Sequence, residues 1–320
     1  MLRITMRLII FLAVLCPAVE APAQRITPRP YRQVEPVRWS QVKWTGGFWQ
    51  QRYTTCRGKM VPSMWEVMKG TKYKPSLEHF RIAAGLSKGE YHGAAWNDGD
   101  FYKFLEAVCA VQAVERDPEW DRRLNEIITV IGKAQRSDSY IHTPVLVAAR
   151  NGDADADAHA KPFGDRFNFE MYNMGHLMAA ACLHHQVTGK SEFLAIARKA
   201  GDFLDAAFRD PTPEQARHAV CPSHYMGIID LYRSTGEPRY LALATRLVQM
   251  RDLVDDGGDD NQDRVPLAQQ TEAVGHTVRA TYLYAGIADL YAETGDADLW
   301  PPLETIWKNV VENKLYLTGG

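Results

Sequence analysis

Three Thr-Gly steps divide the second half of the chain into paired helical runs, and they restrict its possible folds more than any other feature. They stand at Thr188-Gly189, Thr235-Gly236 and Thr294-Gly295. Glycine accepts the left-handed conformation that closes a helix, so each step marks a helix C-terminus. Before each step runs a stretch of small and apolar residues, opening at Gly175-His176, Ser223-His224 and Gly275-His276. After each step a second apolar-periodic run begins, at Phe193-Leu194, Tyr240-Leu241 and Leu299-Trp300. The unit is a helical hairpin recurring about every 50 residues, longer than a tetratricopeptide or ankyrin repeat. Strand-like alternation is scarce. Side-by-side stacking of such units predicts an all-α toroid, with inner helices lining the axis and outer helices wrapping them. The inner helices then start on one face, and His176, His224 and His276 gather at one mouth, an arrangement suited to a polar small molecule such as a sugar.

Upstream, the segment from Phe48 leads into a helix through Met60 and Trp65. The apolar positions Phe101, Phe104, Leu105, Val108 and Cys109 predict a helix over 100–112, and Leu124, Ile127, Ile128 and Ile131 predict another over 120–134. Val37-Arg38-Trp39 and Val42-Lys43-Trp44 suit short strands, and Tyr140 to Thr143 an extended segment or loop. The acidic alternation Asp153, Asp155, Asp157 invites calcium, but Ala158 stands where an EF-hand needs its glycine and Gly164 where it needs glutamate, so a solvated loop is the better reading.

Arg3 and Arg7 precede the apolar run from Leu8 to Val14, and Ala21-Pro22-Ala23 supplies a small-x-small step before Gln24. This is the pattern of a secretory signal peptide, too short to span a bilayer comfortably. The expected division is a leader over 1–23 and a helical domain over 24–320, with a periplasmic or secreted location and no stable membrane insertion. The net charge of −2 and the absence of a basic patch argue against nucleic acid as a partner. Beyond the leader, Cys56, Cys109, Cys182 and Cys221 are widely spaced without any Cys-x-x-Cys. Cys109 and Cys182 sit in apolar helical runs and read as reduced structural thiols.

Three histidines at repeat positions are the strongest candidates for a shared site; they could bind a sugar or, less well, hold zinc. Glu272, four residues before His276, either reaches the same mouth or simply complements a helix N-terminus. Glu170, ahead of His176, is similar. In Trp96-Asn97-Asp98-Gly99-Asp100, Asp100 suits a helix cap. Asp98 beside an exposed tryptophan suits either a cap or the grip on a sugar, a flat apolar face with polar edges. No nucleophile elbow, phosphate loop, dinucleotide fingerprint or His-Glu-x-x-His is present.

Three segments carry a resemblance: Phe101-Tyr102-Lys103-Phe104-Leu105-Glu106-Ala107, Glu170-Met171-Tyr172-Asn173-Met174-Gly175-His176-Leu177, and Gln270 to Ala280 with its Glu-Ala-Val-Gly-His core. From about Val37 to Gly320 the chain resembles glycoside hydrolase family 127, the β-L-arabinofuranosidase-like proteins. The resemblance implies an (α/α)6 barrel, incomplete in this chain, and exo-acting, retaining hydrolysis of a terminal furanoside on plant-type polysaccharide. It implies a zinc-held cysteine nucleophile with a glutamate acid/base, and sugar-contacting roles for His176, His224 and His276. In the family the acid/base glutamate and the zinc ligands follow the Thr-Gly-Gly segment at which this sequence ends. The expectation is therefore a chain with half of a sugar pocket, no catalytic residue and no zinc ligand, inactive alone. Phe169 stands in place of a family histidine and Met64 in place of a glutamine, which leaves open a sugar other than arabinofuranose. Two alternatives remain. One is another toroid enzyme, a lyase or unsaturated-uronyl hydrolase, for which the mouth motifs offer only Arg279 as a cation. The other is a non-catalytic helical-repeat binding fragment.

Overall fold

The computed structural model describes residues 31–32, 34, 36–70, 72–152 and 161–319. The leader over 1–23 and the Asp153, Asp155, Asp157 run lie outside the described residues.

Among the described residues there is no strand; the elements are helices. Val37–Trp39 and Val42–Trp44 do not pair as strands, and a 3-10 turn at Trp39–Gln41 lies between them. Helices α1 (Gly47–Thr55) and α2 (Val61–Met68) form one rod joined by a π-helical turn at Cys56–Met60. Pro62 explains the join. It has no N–H and its ring would strike the carbonyl one turn back, so the ladder widens there, with Val61 N–H donating to Cys56 O. Next come α3 (Ser76–Ala83), α4 (Asn97–Val114), α5 (Pro118–Ala134) and α6 (Thr143–Asn151). Asp117 caps α5 by accepting from Glu119 N–H, with Pro118 in the first turn. The extended segment expected at Tyr140 ends at His142; Thr143 and Pro144 then open α6.

The three predicted hairpins follow: α7 (Glu170–Thr188) with α8 (Glu192–Ala207), α10 (His224–Thr235) with α11 (Pro238–Met250), and α12 (Thr277–Thr294) with α13 (Trp300–Asn313). A one-turn helix α9 (Pro213–Ala216) lies between the first two. Gly189, Gly236 and Gly295 all take the left-handed conformation, at φ 74°, 70° and 66°. The preceding threonine does the same work each time. Its hydroxyl donates back to the carbonyl four residues earlier (His184, Leu231, Leu290) and accepts the N–H two residues later (Lys190, Glu237, Asp296).

The inner helices α4, α7, α10 and α12 pack in that order, each against the next, while α8, α11 and α13 follow on the outside. Outer helices bury one stripe: Phe193, Ile196, Ala197, Ala200 and Leu204 in α8, and Tyr240, Leu243, Ala244 and Leu247 in α11. Helix α7, enclosed by α4, α8 and α10, is buried nearly all round. Its closest neighbour is reached through glycine. A Cβ on Gly175 would lie 2.5 Å from His224 Cα, and one on Gly227 would lie 2.1 Å from Gly175 O. Gly175 is therefore not a helix-opening residue. It is the point at which two inner helices cross backbone to backbone.

Candidate active site

The first two turns of α4, α7 and α12 converge on a cluster of aromatic and charged side chains. Lys103 in α4 donates to the Tyr172 hydroxyl of α7 at 2.7 Å and pairs with Asp100 at 2.8 Å. Asp100 also accepts from Lys74. Burial would raise the Asp100 carboxyl, but the hydrogen bonds and charges of Lys103 and Lys74 together outweigh it and hold the group below the usual carboxylate range. The rings form a continuous edge-to-face array. Trp96 meets Phe169 at 5.3 Å, Phe169 meets Tyr172 at 6.1 Å, and Tyr172 meets His176 at 4.5 Å. Tyr282 of α12 closes the array, 5.4 Å from His176 and 6.3 Å from Tyr172. Arg279, in the first turn of α12, lies over the Phe169 ring and pairs with Asp260.

Three polar groups in this cluster are left for a ligand. One lone pair of the Tyr172 hydroxyl is taken by Lys103, and its proton goes to no described residue. The Tyr282 hydroxyl has no hydrogen-bond partner among the described residues. His176 Nε2 is buried and unpartnered. Burial, then the nearby Lys103 charge, pushes the His176 imidazole down to about 3, so it is neutral at ordinary pH and offers one donor and one acceptor. Trp96 stands half-exposed at the rim as an apolar face. Two backbone outliers flank the cluster. Phe169 caps α7 at φ 57° and Cys221 sits at φ 54°, both in the left-handed region that bulky residues avoid.

The sequence-derived candidates are distributed differently from expectation. His176 lies in the second turn of α7, His224 opens α10, and His276 caps α12 from outside. They are not structurally equivalent. His276 is exposed on the α12 rim, three residues before Arg279. His224 is fully buried against the Tyr225 ring, with both ring nitrogens unpartnered, and burial followed by the Arg251 charge pushes it down to about 3. Glu272 is exposed and faces Lys314 at 3.5 Å. Asp98 is 1% exposed, and its carboxylate accepts from Thr143 N–H at 2.7 Å and from the Thr143 hydroxyl at 2.5 Å. It is buried and accepts from the first residue of α6 across to a neighbouring helix, so its oxygens are taken up by the fold. Asp100 does not cap α4; it is the lysine partner described above. Glu170 is also spent: Tyr140 donates to it and Phe163 N–H reaches both its oxygens, at 2.9 and 3.0 Å.

The segment carrying the Glu-Ala-Val-Gly-His motif is fastened by Gln262, whose amide donates to Val274 O at 2.9 Å and to His276 O at 3.4 Å. Gly275 takes φ 73°, and a Cβ there would lie 1.8 Å from Asp259 O. The motif therefore shapes the rim through its backbone. Lys103, Tyr172, Cys221 and Tyr282 escaped the sequence reading as site residues. The one available signal was Lys103, a cation inside the apolar run of α4.

All four described cysteines are free thiols, three of them buried. Burial raises Cys221 to about 11 although Arg279 and Lys103 pull the other way, so its thiol is protonated at neutral pH. Among the described residues no three His, Cys, Asp or Glu side chains converge on a point that could hold a metal ion. The described residues thus do not fit zinc. No described helix is long and apolar enough to cross a membrane.

Residues 41–320 match the family described as β-L-arabinofuranosidase, GH127 catalytic domain. A non-reducing end β-L-arabinofuranosidase of Bifidobacterium longum subsp. longum is 31% identical over 322 aligned positions, covering 86% of this chain and 47% of the relative. A crystal structure of a GH127 β-L-arabinofuranosidase from Geobacillus stearothermophilus T6 superposes with a TM-score of 0.77 at 30% identity, covering 87% of this chain and 46% of that one. A structure described as a glycoside hydrolase shares 42% identity with a TM-score of 0.66, covering 87% of this chain and 37% of that one. The chain thus spans less than half the length of these relatives. The match over nearly all of its described residues, together with the row of helical hairpins whose inner helices α4, α7 and α12 gather Lys103, Tyr172, His176 and Tyr282, makes this chain a member of the glycoside hydrolase family 127 catalytic-domain family.

Proposed function

We propose that this chain forms the sugar-binding wall of an exported, retaining glycoside hydrolase that removes terminal β-L-arabinofuranosyl residues from plant-type polysaccharide. The observation that carries the reading is the mouth itself. Neutral donors and acceptors on Tyr172, His176 and Tyr282 stand beside the exposed apolar face of Trp96, a combination suited to an uncharged polyol. The names of the relatives supply the furanoside, and the signal-peptide pattern supplies the periplasmic or secreted location. Binding is what the described residues offer. Cys221 is held as a thiol and Glu170 is fully occupied, so neither is assigned as nucleophile or acid. The cations nearest the mouth, Lys103 and Arg279, are both engaged in ion pairs, with Asp100, which Lys103 shares with Lys74, and with Asp260.

The test is calorimetric titration with methyl β-L-arabinofuranoside, alongside an assay with a chromogenic β-L-arabinofuranoside. Millimolar binding without turnover is expected, weakened about 5-fold by Tyr172→Phe through loss of one hydrogen bond. Tighter binding of a uronate, or equal binding by the wild-type and variant chains, would sink the reading.

A further inference from the structure

The start of α4 breaks a local rule. Trp96 stands at its N-cap, where a short polar side chain is the stable choice, and it makes no side-chain cap. A helix start leaves backbone N–H groups without intrahelical partners, and in the first turn of α4 one of them is paired from another helix. Asn173 of α7, 1% exposed, accepts from Gly99 N–H through its Oδ1 at 2.6 Å. A backbone N–H can only donate, so this bond fixes which end of the Asn173 amide faces α4. The NH2 end donates to Ala95 O at 2.9 Å. Its other proton points to His142 Nδ1 at 3.3 Å, and that nitrogen accepts. One buried amide thus ties together the residue before Trp96, the first turn of α4 and the cap residue of α6.

The residues so tied carry the mouth. Asn173 follows Tyr172 in α7, and Ala95 precedes Trp96, whose ring is 45% exposed and meets Phe169. Gly99 lets the Tyr172 ring rest on the α4 backbone: a Cβ there would lie 2.5 Å from Tyr172 Cε1 and 2.8 Å from Asn173 Oδ1. One turn further on, Lys103 donates to the Tyr172 hydroxyl. A serine or aspartate at position 96 would cap α4 within its own chain segment. The sequence instead places a large indole there and moves the cap to Asn173, a departure from local preference of the kind found where a surface has another use. Capping alone needs only the bond to Gly99. The bond to Ala95 O goes further, because it fixes the backbone that carries Trp96.

We infer that Asn173 is a positioning residue of the mouth, holding the Trp96 face and the Tyr172 hydroxyl at a fixed spacing for an uncharged sugar through Ala95 and Gly99. The inference rests on the proposed sugar-binding function and adds to it a residue that touches no ligand itself. Tryptophan indoles are labelled with ¹⁵N, and the Trp96 signal is assigned with Trp96→Phe. Methyl β-L-arabinofuranoside is then titrated into the wild-type chain, Asn173→Ala, Asn173→Asp and Gly236→Ala. Gly236→Ala loses stability at the far end of α10 and should bind as the wild type does, which separates lost stability from lost positioning. Asn173→Ala should move or broaden the Trp96 signal of the ligand-free chain, leave the other indole signals in place and weaken binding about 5- to 10-fold. Asn173→Asp keeps the acceptor for Gly99 and loses the donors, so it should fall between the two, and it carries the test alone if Asn173→Ala does not fold. A folded Asn173 variant that binds as tightly as the wild type, or whose Trp96 signal is unchanged, overturns the inference and leaves the mouth standing. No binding by the wild-type chain would sink the proposed function itself, and the role of Asn173 with it.

Discussion

At the scale of single residues, the motif Tyr172-x-x-Gly175-His176 divides its work. Tyr172 and His176 project a full turn apart on one side of α7, toward Lys103 and Tyr282, while Gly175 faces α10. The sequence singled out His176, and the structure sets its ring against Tyr172 and Tyr282. The sequence could not reveal that Gly175 is there for a backbone crossing, because the partner at that crossing, His224, is remote in the chain. Gly175→Ala should cost about 1–3 kcal/mol, since the added methyl meets His224 backbone, which cannot rotate away. Urea denaturation would show it as a lower midpoint with an unchanged slope. Asp98 teaches the same lesson. Beside Trp96 it read as either a cap or a sugar contact, and the structure makes it the cap of a different helix, because Thr143 arrives from 45 residues away.

At the scale of elements, the Thr-Gly steps were fully legible, because a helix stop is decided locally. The left-handed glycine and the back-donating threonine need only their own helix. What lies around each stop differs, and this gives a graded prediction. A Cβ on Gly236 meets nothing within 4 Å, so Gly236→Ala should cost only the left-handed penalty of about 1–2 kcal/mol. A Cβ on Gly295 would fall 2.0 Å from the Tyr31 ring, so Gly295→Ala adds displacement of that ring to the same penalty. Thermal unfolding of the two variants should rank Gly295→Ala below Gly236→Ala, and equal melting temperatures would contradict the packing of Tyr31 on this cap. The missed helix α6 and the false strands near Trp39 arose from short segments in which periodicity carries little information.

At the scale of the whole molecule, the neutral buried histidines make stability depend on pH. His176 and His224 are lowered to about 3 in the folded chain, from about 6.5 when unfolded. The unfolded state therefore binds more protons throughout that interval. Stability is complete above about pH 6.5 and falls as the pH drops toward 3, by up to about 1.4 kcal/mol per histidine for each pH unit. Glu170, raised by burial, works in the opposite direction and blunts the loss. Chemical denaturation between pH 7 and 4 should show the decline, and His224→Gln should flatten it; an unchanged slope in the variant would mean that His224 is not buried as described.

The chain's own sequence determined the helical class, the hairpin rhythm and the stops, because periodicity, threonine and glycine act within one or two turns. It also named the segments that build the mouth. Only the tertiary structure decided which side chains face that mouth, since helices far apart in sequence had to be brought together. Lys103 found its partner in Tyr172, Asp98 is taken up by Thr143, and the three histidines that looked alike in sequence ended beside Tyr172, in the core and on the rim.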